Sequence, residues 1–298
     1  MTLREKVESG QFIVCGEIGP PQSCDAEVLR RKARHFKGYV DAVNITDNQR
    51  AVARLSSIAS GKILLEEGIE PIIQMTCRDR NRLAIQSDLL GAASLGLGNV
   101  LCLTGDHQKF GDHPEAKGVF DLDSIQLIAT VASLNSGMLL SGTEMKKATS
   151  FLIGAAANPF AEPFEMRLIR LHKKAEAGAH FIQTQPVFDL ARFRKWIDRV
   201  VEMGLHQRTA ILAGVLPVRS AKTLLWMKEE VPGVRIDDVY VRRMQQATNP
   251  EEEGVRMAVE IIQALREMHG LRGIHLMPTM WESITPRIVT EAKLISTN

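Results

Sequence analysis

Six polar side chains close or follow apolar runs in this 298-residue chain: Glu17, Thr46, Thr76, Asp106, Asn158 and Gln185. Glu17 ends Phe-Ile-Val-Cys-Gly-Glu and precedes Ile-Gly-Pro-Pro. A carboxyl there is expected to be pressed between apolar neighbours, the condition under which a carboxylic acid keeps its proton for general-acid work. A carboxylate paired with Arg or Lys is the structural alternative. Asp106 stands in Leu-Thr-Gly-Asp, where Gly105 lets the backbone approach a ligand and the aspartate can face a developing cation. A turn or helix-cap aspartate reads the same way. Gln185, in Phe-Ile-Gln-Thr-Gln-Pro, offers a donor and an acceptor to a heterocycle edge, or caps its own strand. No histidine stands near Ser or Cys at triad spacing, and His180 and His275, inside strand-like runs, read as core or rim residues.

What must position these groups is an alternation of short apolar runs with helical patterns, repeated eight times. The expected strands are Phe12–Ile18, Asp41–Thr46, Pro71–Thr76, Asn99–Thr104, Ser150–Ala156, His180–Gln185, Thr209–Leu216 and Gly273–Met277. Between them Ala26–Phe36, Arg80–Leu95, Pro163–Ala177 and Phe193–Met203 carry apolar residues at three- and four-residue spacing. Gly68, Gly178 and Gly204 stand where helices end. Strands alternating with helices make a parallel sheet. Eight units predict an α/β fold, a (β/α)8 (TIM) barrel formed by residues 1–298 as one domain, with its site at the strands' C-terminal ends. An open doubly wound sheet is the rival, but no GxGxxG follows the first strand. Two stretches interrupt the alternation. His107–Gly118 reads as a long polar loop on the active face, and Val231–Pro250 ends in Asn249-Pro250, a helix start.

Composition narrows the function classes. A formal net charge of +2 with scattered basic residues carries no nucleic-acid footprint. No run of about 18 apolar residues suggests a membrane span, and Met1–Gly10 lacks the apolar stretch of a secretory leader; a cytosolic protein is expected. Cys15, Cys24, Cys77 and Cys102 show no zinc spacing and read as small hydrophobes, so no metal site is expected.

In these segments the chain resembles the methylenetetrahydrofolate reductase family. The matching stretches are Gly16-Glu17-Ile18-Gly19-Pro20-Pro21, Val43–Thr46, Gln74-Met75-Thr76-Cys77, Leu103–Asp106, Ala155–Pro159, Lys174–Gln185 and Gly214-Val215-Leu216-Pro217-Val218, in the family's order. The resemblance implies a flavin-holding barrel that passes hydride to 5,10-methylenetetrahydrofolate, giving 5-methyltetrahydrofolate. It makes Glu17 the acid that opens the folate's five-membered ring. Asp106 becomes the aspartate beside pterin and flavin, and Gln185 the glutamine that orients pterin or nicotinamide. Thr46, Gln74, Thr104, Gly105, Asp106, Ala157, Asn158 and Lys174 fall on flavin-contacting positions, with Lys174 facing phosphate.

Several positions depart from the family's pattern. Arg167 and Arg170 stand where well-known members hold the adenosine end of the cofactor with an acidic residue and an amide, so FAD is favoured only slightly over FMN. Thr223 (a candidate substrate contact) and Met227, with Trp226 beside it, replace nicotinamide contacts. Pro278-Thr279-Met280-Trp281-Glu282 stands where an arginine for the glutamate tail is expected. These changes resemble the divergent branch of acetate-forming anaerobes, which implies an oligomer or hetero-complex. Its electrons would come from NAD(P)H or from a partner subunit with iron–sulfur or zinc sites. A flavin- or folate-binding subunit of a larger complex, and a pterin-dependent methyltransferase, are the alternative functions.

Overall fold

The computed structural model of the chain describes residues 1–231 and 233–294. Eight parallel strands close on themselves in chain order, β1 pairing with both β2 and β8. They are β1 (Ile13–Ile18), β2 (Ala42–Ile45), β3 (Pro71–Thr76), β4 (Asn99–Leu103), β5 (Leu152–Ala157), β6 (Phe181–Pro186), β7 (Ala210–Val215) and β8 (Leu271–Leu276). Each expected strand is present, with its ends shifted by at most two residues. The (β/α)8 expectation therefore holds. Around the barrel run α2 (Ala26–Ala33), α3 (Ser57–Glu66), α4 (Arg82–Ser94), α5 (Ser124–Asn135), α6 (Phe164–Glu176), α7 (Leu190–Glu202), α8 (Ala221–Glu230), α10 (Pro250–Arg266) and α11 (Thr285–Glu291).

Strand alternation divides the residues between two cores. In β1 the side chains of Ile13, Cys15 and Glu17 point inward, and those of Val14 and Ile18 point to the helices, with Gly16 between them on the outer face. A Cβ on Gly16 would come within 2.5 Å of the Phe36 ring, so glycine lets that ring approach β1. The lower barrel interior is aliphatic and aromatic: Ile13, Cys15, Ala42, Ile72, Leu101, Leu152, Phe181, Ala210 and Leu212 form one cluster. Gly154 makes room for the Phe181 ring there, since a Cβ on it would lie 2.2 Å from the ring. The larger outer core joins the strands to the helices through residues such as Leu127, Phe193 and Trp196. Cys15, Cys77 and Cys102 are buried, as expected, while Cys24 is exposed.

Two helices were not expected. Residues of the polar N-terminus form α1 (Leu3–Ser9), started by a reciprocal Thr2–Glu5 capping box. Its Leu3 enters the lower barrel core, a burial worth roughly 1.5–3 kcal/mol. Lys6 pairs with Asp41 at 2.6 Å, and Arg272 donates to the Val7 carbonyl, so α1 closes the end of the barrel opposite the site. Within Val231–Pro250, α9 (Asp238–Gln246) starts at an Asp237 cap and buries Tyr240, Val241 and Met244. The expected start at Asn249-Pro250 opens α10. Gly68, Gly178 and Gly204 adopt the left-handed φ values of helix ends, +72°, +113° and +67°. Among the described residues no helix is long and apolar enough to cross a membrane.

Candidate functional site

A cavity of about 320 Å³ opens at the C-terminal ends of the strands. That is near the lower end of small-molecule sites, roughly 300–1,000 Å³. Its walls are aliphatic where Leu101, Leu103, Ala156 and Met277 line it. The remaining lining is polar and includes seven of the expected site residues: Glu17, Thr46, Gln74, Thr104, Gly105, Asp106 and Gln185.

Glu17 sits on the inner face of β1 with its side chain 13% exposed. Gln74 Nε2 donates to Glu17 Oε2 at 3.2 Å, and His275 Nε2 lies 3.4 Å from the same oxygen. Among the described residues Oε1 makes no hydrogen bond. The expectation of apolar neighbours is corrected here: an amide and an imidazole hold the carboxyl. Behind them Asn44 Nδ2 contacts His275 Nε2 at 3.2 Å and donates to Gln183 Oε1 at 2.6 Å. Sequence reasoning missed this polar layer, and it set His275 aside as a core or rim residue. Residues 44, 74, 183 and 275 share the inward parity of their strands, which was the available signal.

Rim loops are tied down by buried arginines. Arg78, almost wholly buried, forms a bidentate pair with Asp79 and donates to the carbonyls of Asn48 and Asp106, both at 3.2 Å. The Asp79 partnership raises its affinity for its proton. One guanidinium thus ties the loops after β2 and β4 to that after β3, fixing the Asp106 main chain while the exposed carboxylate makes no hydrogen bond among the described residues. Gly105 turns this corner at φ +92°. Asp47 accepts from the Thr76 backbone and hydroxyl, both at 2.9 Å, and from Arg80 at 2.7 Å. Burial lowers the Arg80 proton affinity, but Asp47 and Asp88 more than reverse that.

Gln185 reaches the mouth because β6 shifts register against β7 between Gln183 and Pro186. Gly214 permits the close approach, since a Cβ there would lie 2.5 Å from the Thr184 carbonyl oxygen. The Gln185 side chain is exposed and makes no strand-capping hydrogen bond among the described residues.

The other expected residues lie outside the cavity lining. Ala157 ends β5 one residue beyond the lining Ala156. Asn158 Oδ1 accepts from the Phe160 and Ala161 amides, closing a turn. Lys174 donates from Nζ to the Ala156 carbonyl at 2.6 Å, and burial followed by the Arg170 charge lowers its pKa from 10.5 to about 8. Thr223 lies in the first turn of α8, its hydroxyl 2.9 Å from Ser220 Oγ. Met227 is buried, whereas Trp226 is 43% exposed and carries the Arg50 guanidinium 5.3 Å above its ring. At the eighth unit Glu282 pairs with Lys32 at 3.0 Å, and Arg219 lies 5.7 Å over the Trp281 ring. No group of three potential metal ligands occurs among the described residues.

A flat, polar-edged heterocycle fits this donor set. Thr46 Oγ1 and Gln183 Nε2 are buried without a protein partner on residues that line the cavity, and aliphatic walls stand ready for ring faces. These are features an isoalloxazine would use.

Among solved structures, an uncharacterized protein from Clostridium thermocellum that binds two copies of 5-methyl-5,6,7,8-tetrahydrofolic acid superposes with a TM-score of 0.68 at 15% identity, covering 98% of this chain and 97% of its own. An oxaloacetate acetylhydrolase shares only the barrel, with a TM-score of 0.53 at 12% identity and coverage of 98% and 82%. The Escherichia coli 5,10-methylenetetrahydrofolate reductase is 23% identical over 89% of this chain and 86% of its own length. A probable methylenetetrahydrofolate reductase (NADPH) of Caenorhabditis elegans is 26% identical over 77% of this chain, and the match spans about a third of the worm protein, 33%. The family model for methylenetetrahydrofolate reductase matches residues 2–293, and the chain belongs to that family.

Proposed function

We propose that this chain reduces 5,10-methylenetetrahydrofolate to 5-methyltetrahydrofolate with a flavin bound at the barrel mouth. The carrying observation is Glu17: a carboxyl on the inner face of β1, contacted on a single oxygen by Gln74 and His275, in a cavity whose other charged lining groups, Asp47, Arg78 and Asp106, stand in the rim loops. The bridged methylene of the substrate is a poor hydride acceptor. Protonation of its departing nitrogen opens the ring to an iminium cation, which accepts hydride readily. Glu17 supplies that proton. Asp106, with its main chain clamped by Arg78 and its carboxylate free, stabilises the cation by charge. Gln185 orients the pterin edge with its amide. A reduced flavin, when bound, supplies the hydride; Thr46, Gln74, Thr104 and Gly105 are the residues that would hold its ring, with Ala157, Asn158 and Lys174 toward its side chain. FAD is favoured slightly over FMN.

The arrangement of α8 bears on the electron supply. Met227 faces the core, Thr223 is engaged with Ser220, and the Trp226 ring is covered by Arg50. These arrangements support a reductant delivered by a partner subunit bearing iron–sulfur or zinc sites rather than by direct nicotinamide stacking. Rapid bleaching of the flavin by NADH or NADPH in stopped-flow mixing would refute that part.

The test of the whole reading is Glu17→Gln. Flavin content should persist, while methylenetetrahydrofolate reduction by the pre-reduced protein falls about 10²-fold or more, the usual scale for a general acid. An undiminished rate removes Glu17 from the chemistry. A colourless purified protein that moves methyl groups from methyltetrahydrofolate would instead support the methyltransferase alternative.

A further inference from the structure

We propose that His275 is a positioning residue that stores and returns the proton Glu17 delivers; this rests on the reading of Glu17 as the acid. His275 is 4% exposed, on the inner face of β8, at the floor of the cavity. Its Nε2 faces two groups at once, Glu17 Oε2 at 3.4 Å and Asn44 Nδ2 at 3.2 Å. With a lone pair on Nε2, the ring accepts either from the Asn44 amide or from a protonated Glu17. With a hydrogen there, it donates to the Glu17 carboxylate. The same heavy-atom positions serve both ends of a proton transfer.

The Asn44–Gln183 pair is built to tolerate that change. Asn44 Nδ2 donates to Gln183 Oε1 at 2.6 Å, while Asn44 Oδ1 and Gln183 Nε2 are buried without partners. A half-turn of both amides preserves the bond between them with donor and acceptor exchanged. It also presents Asn44 Oδ1 to a protonated Nε2. The layer therefore does not pin the imidazole in one state.

Few other charges face the ring. From β1 the inward groups are Glu17 and Cys15, the register partner of His275, whose thiol is held neutral by burial and by Asp41 and Glu70. β2 offers Asn44, β6 Gln183 and β3 Gln74, all neutral. On β7 the register partner is Gly214, which has no side chain. The rim carboxylates Asp47 and Asp79 are engaged with Arg80 and Arg78, while Asp106, on the loop after β4, keeps an exposed carboxylate in the lining. Glu17 is the titratable group that stands against Nε2 of His275.

The step balances in protons. At rest the imidazolium donates Nε2–H to the Glu17 carboxylate; that N–H bond breaks and the proton passes to Glu17 Oε2, leaving a neutral imidazole beside a protonated acid. The Glu17 O–H bond then breaks as its proton passes to the substrate nitrogen, leaving a carboxylate. The imidazole takes a proton from a solvent buffer acid, whose conjugate base leaves, and the starting pair is restored.

Two measurements test the pairing. In the first, the His275 ring nitrogens are recorded by NMR at one fixed pH in the full chain, without folate, in wild type and Glu17→Gln. Removing the carboxylate 3.4 Å from Nε2 should move the Nε2 resonance. Unchanged ring resonances overturn the coupling, whatever the enzyme's activity. In the second, single-turnover folate reduction is followed against pH for wild type and His275→Gln. The variant should keep KM within about twofold, lose about tenfold or more in kcat and lose one limb of the pH profile. A variant with wild-type kcat and profile overturns the proposal but leaves Glu17 as the acid. Should wild type itself fail to reduce methylenetetrahydrofolate, the functional reading falls, and the NMR arm still decides whether the two groups share a proton.

Discussion

Lys174 offers a stability measurement that bears directly on cofactor binding. Its ammonium lies on α6 and donates to the Ala156 carbonyl at 2.6 Å, with burial the main cause of a pKa near 8 against an ordinary 10.5. At roughly 1.4 kcal/mol per pH unit, holding this group charged in the folded chain costs about 3 kcal/mol. The sign follows from proton uptake. Between about pH 8 and 10.5 the unfolded chain binds the proton and the folded chain does not, so stability should rise with pH across that window. Below pH 8 the group is charged in both states and the cost is present in full. Lys174→Met removes the charge but leaves the Ala156 carbonyl without this donor, a loss of about 1 kcal/mol. The variant should therefore gain about 2 kcal/mol at pH 7, and this residue's contribution to the slope from pH 8 to 10 should vanish. Urea unfolding of the cofactor-free protein at half-unit pH steps reads both. If the cofactor's phosphate meets Lys174, the loaded wild type should lose the linkage too, because an anion favours the charged form. A Lys174→Met protein less stable at pH 7, with the wild-type slope retained, would refute the reasoning.

Two further substitutions probe the frame that carries the site. Asp47→Asn breaks the buried pair with Arg80; loss of about 3 kcal/mol is expected, the lower end for such pairs, because Asp88 still contacts the guanidinium, and a loss under about 1 kcal/mol in urea unfolding would contradict it. Gly154→Ala sets a methyl against the Phe181 ring and should cost about 1–3 kcal/mol, with partial recovery in the Gly154→Ala/Phe181→Leu double variant; a fully tolerated alanine would mean that the lower barrel is not tightly packed.

The barrel was legible because parallel strands buried on both faces appear as near-continuous apolar runs, and turn residues or helix caps mark their ends. β3 coincides with its expected bounds, Pro71–Thr76, since proline begins it and a hydrogen-bonded threonine ends it. α1 and α9 were not legible for a different reason. Each is under ten residues and buries a narrow apolar face, so periodicity has little to act on. What fixes α1 is tertiary: Leu3 in the barrel core and Arg272 on its last carbonyls.

The site was legible at its rim and obscure at its floor. Glu17, Asp106 and Gln185 could be found because a residue at a strand's end faces the mouth whatever the neighbouring strands do. His275 and Gln183 lie inside their strands, where parity says only that a side chain points inward. Whether an inward side chain joins the aliphatic layer or the polar one depends on how far each strand is staggered against its neighbours. Asn44 and His275 stand 231 residues apart, and only closure of β8 onto β1 puts them side by side. The lower layer takes Cys15, Phe181 and Leu212 while the next takes Glu17 and Gln183, one inward step higher on β1 and β6, with Gly214 of β7 in register with His275. An inward polar residue one step below the end of an apolar strand is therefore a better mark of the cavity floor in such a barrel than proximity to Ser or Cys in sequence. By that measure His275, two residues before the lining Met277, was already distinguishable from His180, which spends its Nδ1 on the Ile153 amide outside the cavity.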